Sequence, residues 1–206
     1  MGLQRIGRVT IDNFELIAKI LDGKDITEDN FFLVQVIRRH KDVGNEDMKA
    51  NNIVIDSIII KNADKLLEKK ERIIKLCNDN NARAYIRLNK RSYKKVALRA
   101  MVLLAESIAN SNYEVKGLYM SACGQISEEK SFLIDIDYAD INFDENEMME
   151  YISELTMEAR KHAVIHKVPT KNGYHLITTG FNREKFGMKY PKVEIHKDNP
   201  TILYIP

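Results

Sequence analysis

Residues 131–147, SFLIDIDYADINFDENE, constrain the fold more than any other stretch of the chain. Phe132, Leu133, Ile134 and Ile136 suit a strand, yet carboxylates stand at 135 and 137. Successive strand residues point to opposite faces, and residues two apart lie about 6.5 to 7 Å from each other on one face. Asp135 and Asp137 therefore project together while Ile134 and Ile136 point into a core. Such a strand needs a sheet with one apolar face and one face open to water or to a cation. Two carboxylates this close repel unless positive charge sits between them, and hard divalent ions such as Mg²⁺ or Mn²⁺ prefer oxygen ligands of this kind. A strand running out into solvent fits the same pattern without a metal.

The rest of the chain alternates strand and helix signals. FFLVQVIRRH (31–40) is dense in β-formers, and ARAYIRL alternates small or apolar with basic residues as a half-exposed strand does. NADKLLEKKERIIKLC carries Leu66, Leu67, Lys70, Ile73, Ile74 and Cys77 at helical spacing. SYKKVALRAMVLLAESIA predicts a helix capped by Ser92, with Val96, Ala97, Ala100, Leu103, Leu104 and Ile108 on its buried stripe. EVKGLYM predicts a strand. A helix is expected from Asp144 to about His162, opened by an Asp144/Glu147 capping box and buried along Met148, Ile152, Leu155 and Ala159. AVIHKV, GYHLITTGF, KVEIH and TILYI predict strands at the end of the chain. This order indicates an α+β, mixed α/β protein. It is read as a single domain over 1–206, with an N-terminal αβ lobe over 1–125 and a C-terminal lobe over 126–206 carrying the acidic site.

Composition excludes several classes. With 44% hydrophobic and 30% charged residues the chain is an ordinary globular protein. No apolar run reaches the roughly 20 residues of a spanning helix, and the first residues lack the apolar core of a signal peptide, so a cytoplasmic location without a membrane is expected. Cys77 and Cys123 make neither a finger motif nor a disulfide framework, and Cys77 reads as a small buried hydrophobe.

The net charge of +2 conceals a segregation. From 80 to 105 there are seven basic residues and no acid, whereas 131–158 hold nine acids and no base. Arg83, Arg87, Lys90, Arg91, Lys94 and Lys95 suit a polyanion, through phosphate contacts that position without reading sequence. Tyr85 and Tyr93, interleaved with them, are placed either to stack a base or to serve as ordinary tyrosines. The basic first turn of the helix at 93 has the wrong sign for the helix dipole, which a bound phosphate would explain and a solvated turn would equally allow.

Two further segments return groups suited to a metal and phosphate site. KNGYHLI places Lys171 and His175 at a strand entry. PKVEIHKDNPTILYIP places Lys192, Glu194 and His196 on one strand face, with Val193 and Ile195 on the other.

In this order, FLIDID, KNGYHLI and KVEIHKDNPTILYIP resemble the three motifs of the archaeo-eukaryotic primase superfamily, including the primase-polymerases of mobile elements. The resemblance covers about 131–206. Glu194 stands where that family more often has Asp, His196 stands where Arg is frequent, and no zinc-binding insertion is found.

The resemblance implies an RRM-like C-terminal catalytic module packed on an N-terminal αβ module. It implies that Asp135, Asp137 and Glu194 bind two divalent ions, Mg²⁺ or Mn²⁺, and that His175, helped by Lys171, contacts an incoming nucleoside triphosphate. The expected partners are a nucleic-acid template and primer, nucleoside triphosphates, and a helicase or replication protein of a phage or mobile element. Other families also begin with Asp-x-Asp after an apolar strand. Polymerase-beta-type nucleotidyltransferases carry Gly-Ser shortly before the pair, which ISEEKSFLIDID lacks. Haloacid-dehalogenase-like phosphatases have Thr or Val where Ala139 stands. A non-catalytic primase-like protein that binds nucleic acid or nucleotide remains the alternative of a different class.

Overall fold

The computed structural model of the chain describes residues 10–40, 52–129, 131–140, 142–156 and 163–206. In chain order these form β1 (Ile11–Asp12), α1 (Phe14–Asp22), β2 (Asn30–Arg38), β3 (Ile53–Ile60), α2 (Ala63–Glu68), α3 (Lys70–Asn80), β4 (Arg83–Ser92), α4 (Tyr93–Ala109) and α5 (Leu118–Gln125). There follow β5 (Phe132–Asp137), a 3₁₀ turn at Tyr138–Asp140, α6 (Glu145–Glu154), β6 (Val164–Pro169), β7 (Gly173–Thr178), α7 (Arg183–Lys189), β8 (Glu194–Lys197) and β9 (Thr201–Ile205). The protein is mixed α+β, with its strands in two antiparallel sheets ordered β1-β9-β4-β2-β3 and β6-β7-β5-β8.

The first sheet is covered on both faces, which is why β2 opens with the unbroken apolar run Phe31–Val34. Phe32, Val34 and Val36 pack with Phe14, Ile17 and Leu21 of α1, Leu66 of α2, and Ile73 and Cys77 of α3. Phe31 and Leu33 pack with Val96 of α4 and with Ala122 and Cys123 of α5. The second sheet is built as β-α-β-β-α-β, and its outer face buries Ile134, Ile136, Tyr174 and Leu176 under Met148 and Ile152 of α6 and Phe186 of α7. Leu133, Val168 and Ile177 join the core of the first sheet, so the two sheets share apolar contacts.

The chain also returns from one sheet to the other. β9 leaves the second sheet and inserts between β1 and β4 of the first, so the expected boundary near 125 is crossed by the last strand. The crossover is pinned by Asp198, whose backbone takes the left-handed conformation at φ 58°. Its carboxylate accepts from Nη2 of the fully buried Arg91 at 2.6 Å, and its carbonyl accepts from Arg87. Asn13, also buried, donates to the carbonyls of Pro169 and Ile202, both at 3.0 Å.

Three local expectations change. The helix expected over 62–77 is two helices that meet at Lys69, although Leu66, Ile73 and Cys77 are buried as their spacing predicts. EVKGLYM is not a strand: Gly117, at φ 94°, turns the chain into α5, whose Ala122 and Cys123 close against α4. Tertiary packing overrides the β-propensity of this segment. In α4 only Val96 of the expected stripe is fully buried, Ala100 and Leu103 are half-buried, and Leu104 and Ile108 are exposed.

In α6, Asp144 accepts from the N–H groups of Asn146 and Glu147, and Met148 and Ile152 are buried. The expected extension through Ala159 to His162 lies outside the described residues. No helix among the described residues is long and apolar enough to cross a membrane.

Candidate active site

β5 lies between β7 and β8. The register sets Asp135 opposite His175 on β7 and opposite Glu194 on β8. Cross-strand partners share a face with Cβ atoms about 4.5 to 5.5 Å apart. His175, Asp135 and Glu194 therefore form one row across three strands. Asp137 stands one pleat further along, opposite Gly173, and His196 one pleat back, opposite Leu133. Ile134 and Ile136 point the other way into the core, as the alternation predicts.

Gly173 makes this row geometrically feasible. A Cβ there would lie 1.8 Å from the Ile136 carbonyl oxygen and 3.0 Å from the Asp137 Cα, so no other residue lets β7 run this close to β5.

The ion-pair partners of the acids, among the described residues, are histidines rather than lysine or arginine. His175 Nε2 lies 3.5 Å from Asp135 Oδ1, and His196 Nε2 lies 3.3 Å from Glu194 Oε2. Asp137 accepts from the Ala139 N–H at 3.1 Å, which closes the turn after the strand. Burial holds the His175 pKa below its ordinary value; Asp135 opposes the shift and His196 adds to it. Of the two ring nitrogens, Nε2 faces Asp135 and Nδ1 shares a hydrogen bond with the Thr201 hydroxyl, 2.8 Å away. Thr201 is fully buried on β9, so the returning strand fixes the ring.

Two cavities flank the acidic row. One of about 290 Å³ opens between the sheets, where Arg39, Arg83 and Tyr85 face Asp135, Asp137, Lys171 and His175. The other, of about 510 Å³, is bounded by Asp135, Asp137 and Glu194 with Phe143, Lys189, Tyr190 and Lys192. The carboxylates thus form a ridge with basic and aromatic groups on each side. The Asp135 side chain is 49% exposed and that of Glu194 is 73% exposed, so both oxygen donors are reachable by an ion from solvent. Among the described residues, no three His, Cys, Asp or Glu side chains already close on one point as a metal cage would. The backbone sets oxygen donors side by side, and side-chain rotation must complete any ligand shell.

The basic block is dispersed. Arg83 lines the cleft. Arg91 is fully buried, donating to the Cys123 and Asn89 carbonyls and to Asp198, so the expected role in nucleic-acid contact is corrected to a structural one. Arg87 is likewise directed to Asp198. Lys90 donates to the Asp25 carbonyl at 2.6 Å, and Lys95 pairs with Glu128 at 2.6 Å. Lys94 is exposed at the start of α4.

That helix start already holds an anion. The Asp29 carboxylate accepts from the Ser92 hydroxyl and, at 3.0 Å, from the Lys94 N–H, while the Ser92 Oγ caps Lys95. The expected phosphate is replaced by the chain's own carboxylate. Tyr93 packs on Phe31 with ring centroids 4.4 Å apart, whereas Tyr85 lines the cleft.

Sequence reasoning missed Thr201, Arg39 and the part played by Gly173. Thr201 is the one aliphatic hydroxyl in TILYI, which is the signal that marks it. Arg39 and Gly173 owe their roles to partners distant in the chain. The chain matches no family model, no curated protein and no solved structure.

Proposed function

We propose that the protein is a primase-polymerase-like nucleotidyltransferase that adds nucleotides to a nucleic-acid 3′-hydroxyl. The observation that carries this reading is the register of β5: Asp135 sits between His175 and Glu194 in one row, with Asp137 on the same face. The three motifs that resemble the primase superfamily meet in that row. The β-α-β-β-α-β order of the second sheet supports an RRM-like catalytic module for the same reason.

Asp135, Asp137 and Glu194 would hold two divalent ions, because they are oxygen donors on one face and carry no lysine or arginine partner among the described residues. Mg²⁺ or Mn²⁺ bound there supplies neutralisation of the charge that develops on the phosphoryl oxygens. Lys171, Arg39 and Arg83 face the smaller cavity and match the charge of a triphosphate. His175, held by Thr201, turns Nε2 toward the acids, and its burial favours the uncharged ring, which does not compete with a metal ion for them. Tyr85 gives the same cavity an aromatic wall for a base or sugar.

The second reading is a primase-like binding protein without catalysis, and the lack of a closed three-donor cluster among the described residues favours it. Extension assays separate the two. On a primed template with nucleotides and Mn²⁺ or Mg²⁺, the wild type is expected to yield extended products. Asp135→Ala and Asp137→Ala each lower the rate by at least about 100-fold, since even outer-shell partners of metal ligands are worth 10- to 100-fold. Extension by both variants at the wild-type rate would overturn the enzyme reading. Binding of the template without any extension would assign the protein to the non-catalytic class.

A further inference from the structure

α4 carries apolar residues on two opposite sides. Its inner side, Val96 with Ala100 and Leu103, meets the first sheet and α5. Its outer side presents Leu98, Met101, Ala105 and Ile108 to solvent, with Leu98 55%, Met101 67% and Ile108 52% exposed. The steps between them are three, four and three residues, which is the seam spacing of helices packed in a coiled coil. Val102 and Leu104 widen this face, and Arg99 and Glu106 are the only charged residues from Val96 to Ala109. A second apolar face of this extent on one helix marks a surface that is covered.

The charges at its ends indicate what covers it. The first turn holds Lys94 and Lys95 and the last turn holds Glu106 and no base; Asp29 caps the start, Lys95 pairs with Glu128 and Arg99 reaches Glu106, yet Lys94, Lys95 and Glu106 all stay exposed and set a basic start against an acidic end, the reverse of what the helix dipole favours. Beside an antiparallel copy of itself the signs become complementary at both ends, because the basic start of each helix lies along the negative end of the other. A parallel copy would bring like ends together. We infer that the outer face of α4 is a homodimer interface in which two α4 helices pair antiparallel about a two-fold axis. With the axis between Met101 and Ala105, Leu98 of one copy meets Ile108 of the second, and each Met101 meets an Ala105, large against small. The helix has 17 residues, a seam about 25 Å long.

Sedimentation velocity on the full chain at micromolar concentration tests this. The wild type is expected to sediment as a dimer, and Leu98→Glu with Met101→Glu weakens association by about 100-fold, two tenfold losses, with an unchanged circular dichroism spectrum. A second variant does not depend on breaking anything: Leu98→Cys with Ile108→Cys gives a covalent dimer on oxidation, reversed by reductant. The native Cys77 and Cys123 are fully buried, so the unaltered chain gives none. A monomeric wild type, a dimer untouched by the two glutamates, or no covalent dimer from the cysteine pair overturns the inference. A monomer that co-sediments with phosphatidylcholine and phosphatidylglycerol vesicles through this face would also overturn it, assigning the surface to a lipid bilayer.

Discussion

At Gly173 the β7 backbone passes so near β5 that a methyl group would overlap the Ile136 carbonyl oxygen. Gly173→Ala must therefore part the strands that carry Asp137 and His175. The expected loss is about 3 kcal/mol of stability, read as a lower urea midpoint, with extension activity falling further than stability because the acidic row is displaced. A midpoint equal to the wild type would contradict this close approach. The alternation in FLIDID was legible because a strand has a period of two, so the two aspartates and their apolar neighbours sort themselves onto opposite faces. Arg91 was not legible. Its charge suggested a surface, but its guanidinium is satisfied by Asp198, 107 residues later, and by two backbone carbonyls. A buried cation is affordable only with such partners, and no local pattern announces them.

Among the elements, α4 shows how a correct local reading and an incorrect partner coexist. Ser92 caps it as its sequence predicts, and the basic first turn does attract an anion, but the anion is Asp29. The Ser92 hydroxyl, and after it the Lys94 N–H, hold the Asp29 carboxyl below its ordinary value. A depressed carboxylate pKa contributes stability that is present above the unfolded value of 3.8 and lost as pH falls through the folded value. Asp29→Asn, which keeps the shape and removes the charge, is thus expected to be less stable than the wild type at pH near 7. The gap should narrow on acidification below 3.8. Urea midpoints across that range measure it, and a gap that is constant with pH would remove Asp29 from the cap. EVKGLYM was misread for a related reason: its β-formers have no strand to pair with, and packing against α4 selects a helix. The stripe of α4 misled too, since helical periodicity finds apolar faces without saying which one the same chain covers.

Across the whole molecule, the strand that joins the first sheet from the far end of the chain is also the strand that holds His175 in the acidic row. Thr201 on β9 fixes His175 on β7, and Asp198 just before it ties the crossover to β4. The α+β class and the strands of the second sheet were readable from the order of strand and helix signals, and so was the shared face of Asp135 and Asp137. The return of β9 to the first sheet was not, because strand propensity carries no information about which sheet receives a strand. That return places Arg39, Arg83 and Tyr85 opposite the acids, and it turns a row of side chains on one sheet into a cleft between two. In the proposed enzyme, Asp135, Asp137 and Glu194 share divalent ions. Crystals grown with Mn²⁺ and a non-hydrolysable nucleoside triphosphate, measured at the manganese absorption edge, test it most directly. Anomalous peaks are expected within roughly 2.0 to 2.6 Å of carboxylate oxygens from all three residues. Anomalous density elsewhere, or bound nucleotide with Glu194 still turned to His196 and no peak beside Asp135, would contradict it.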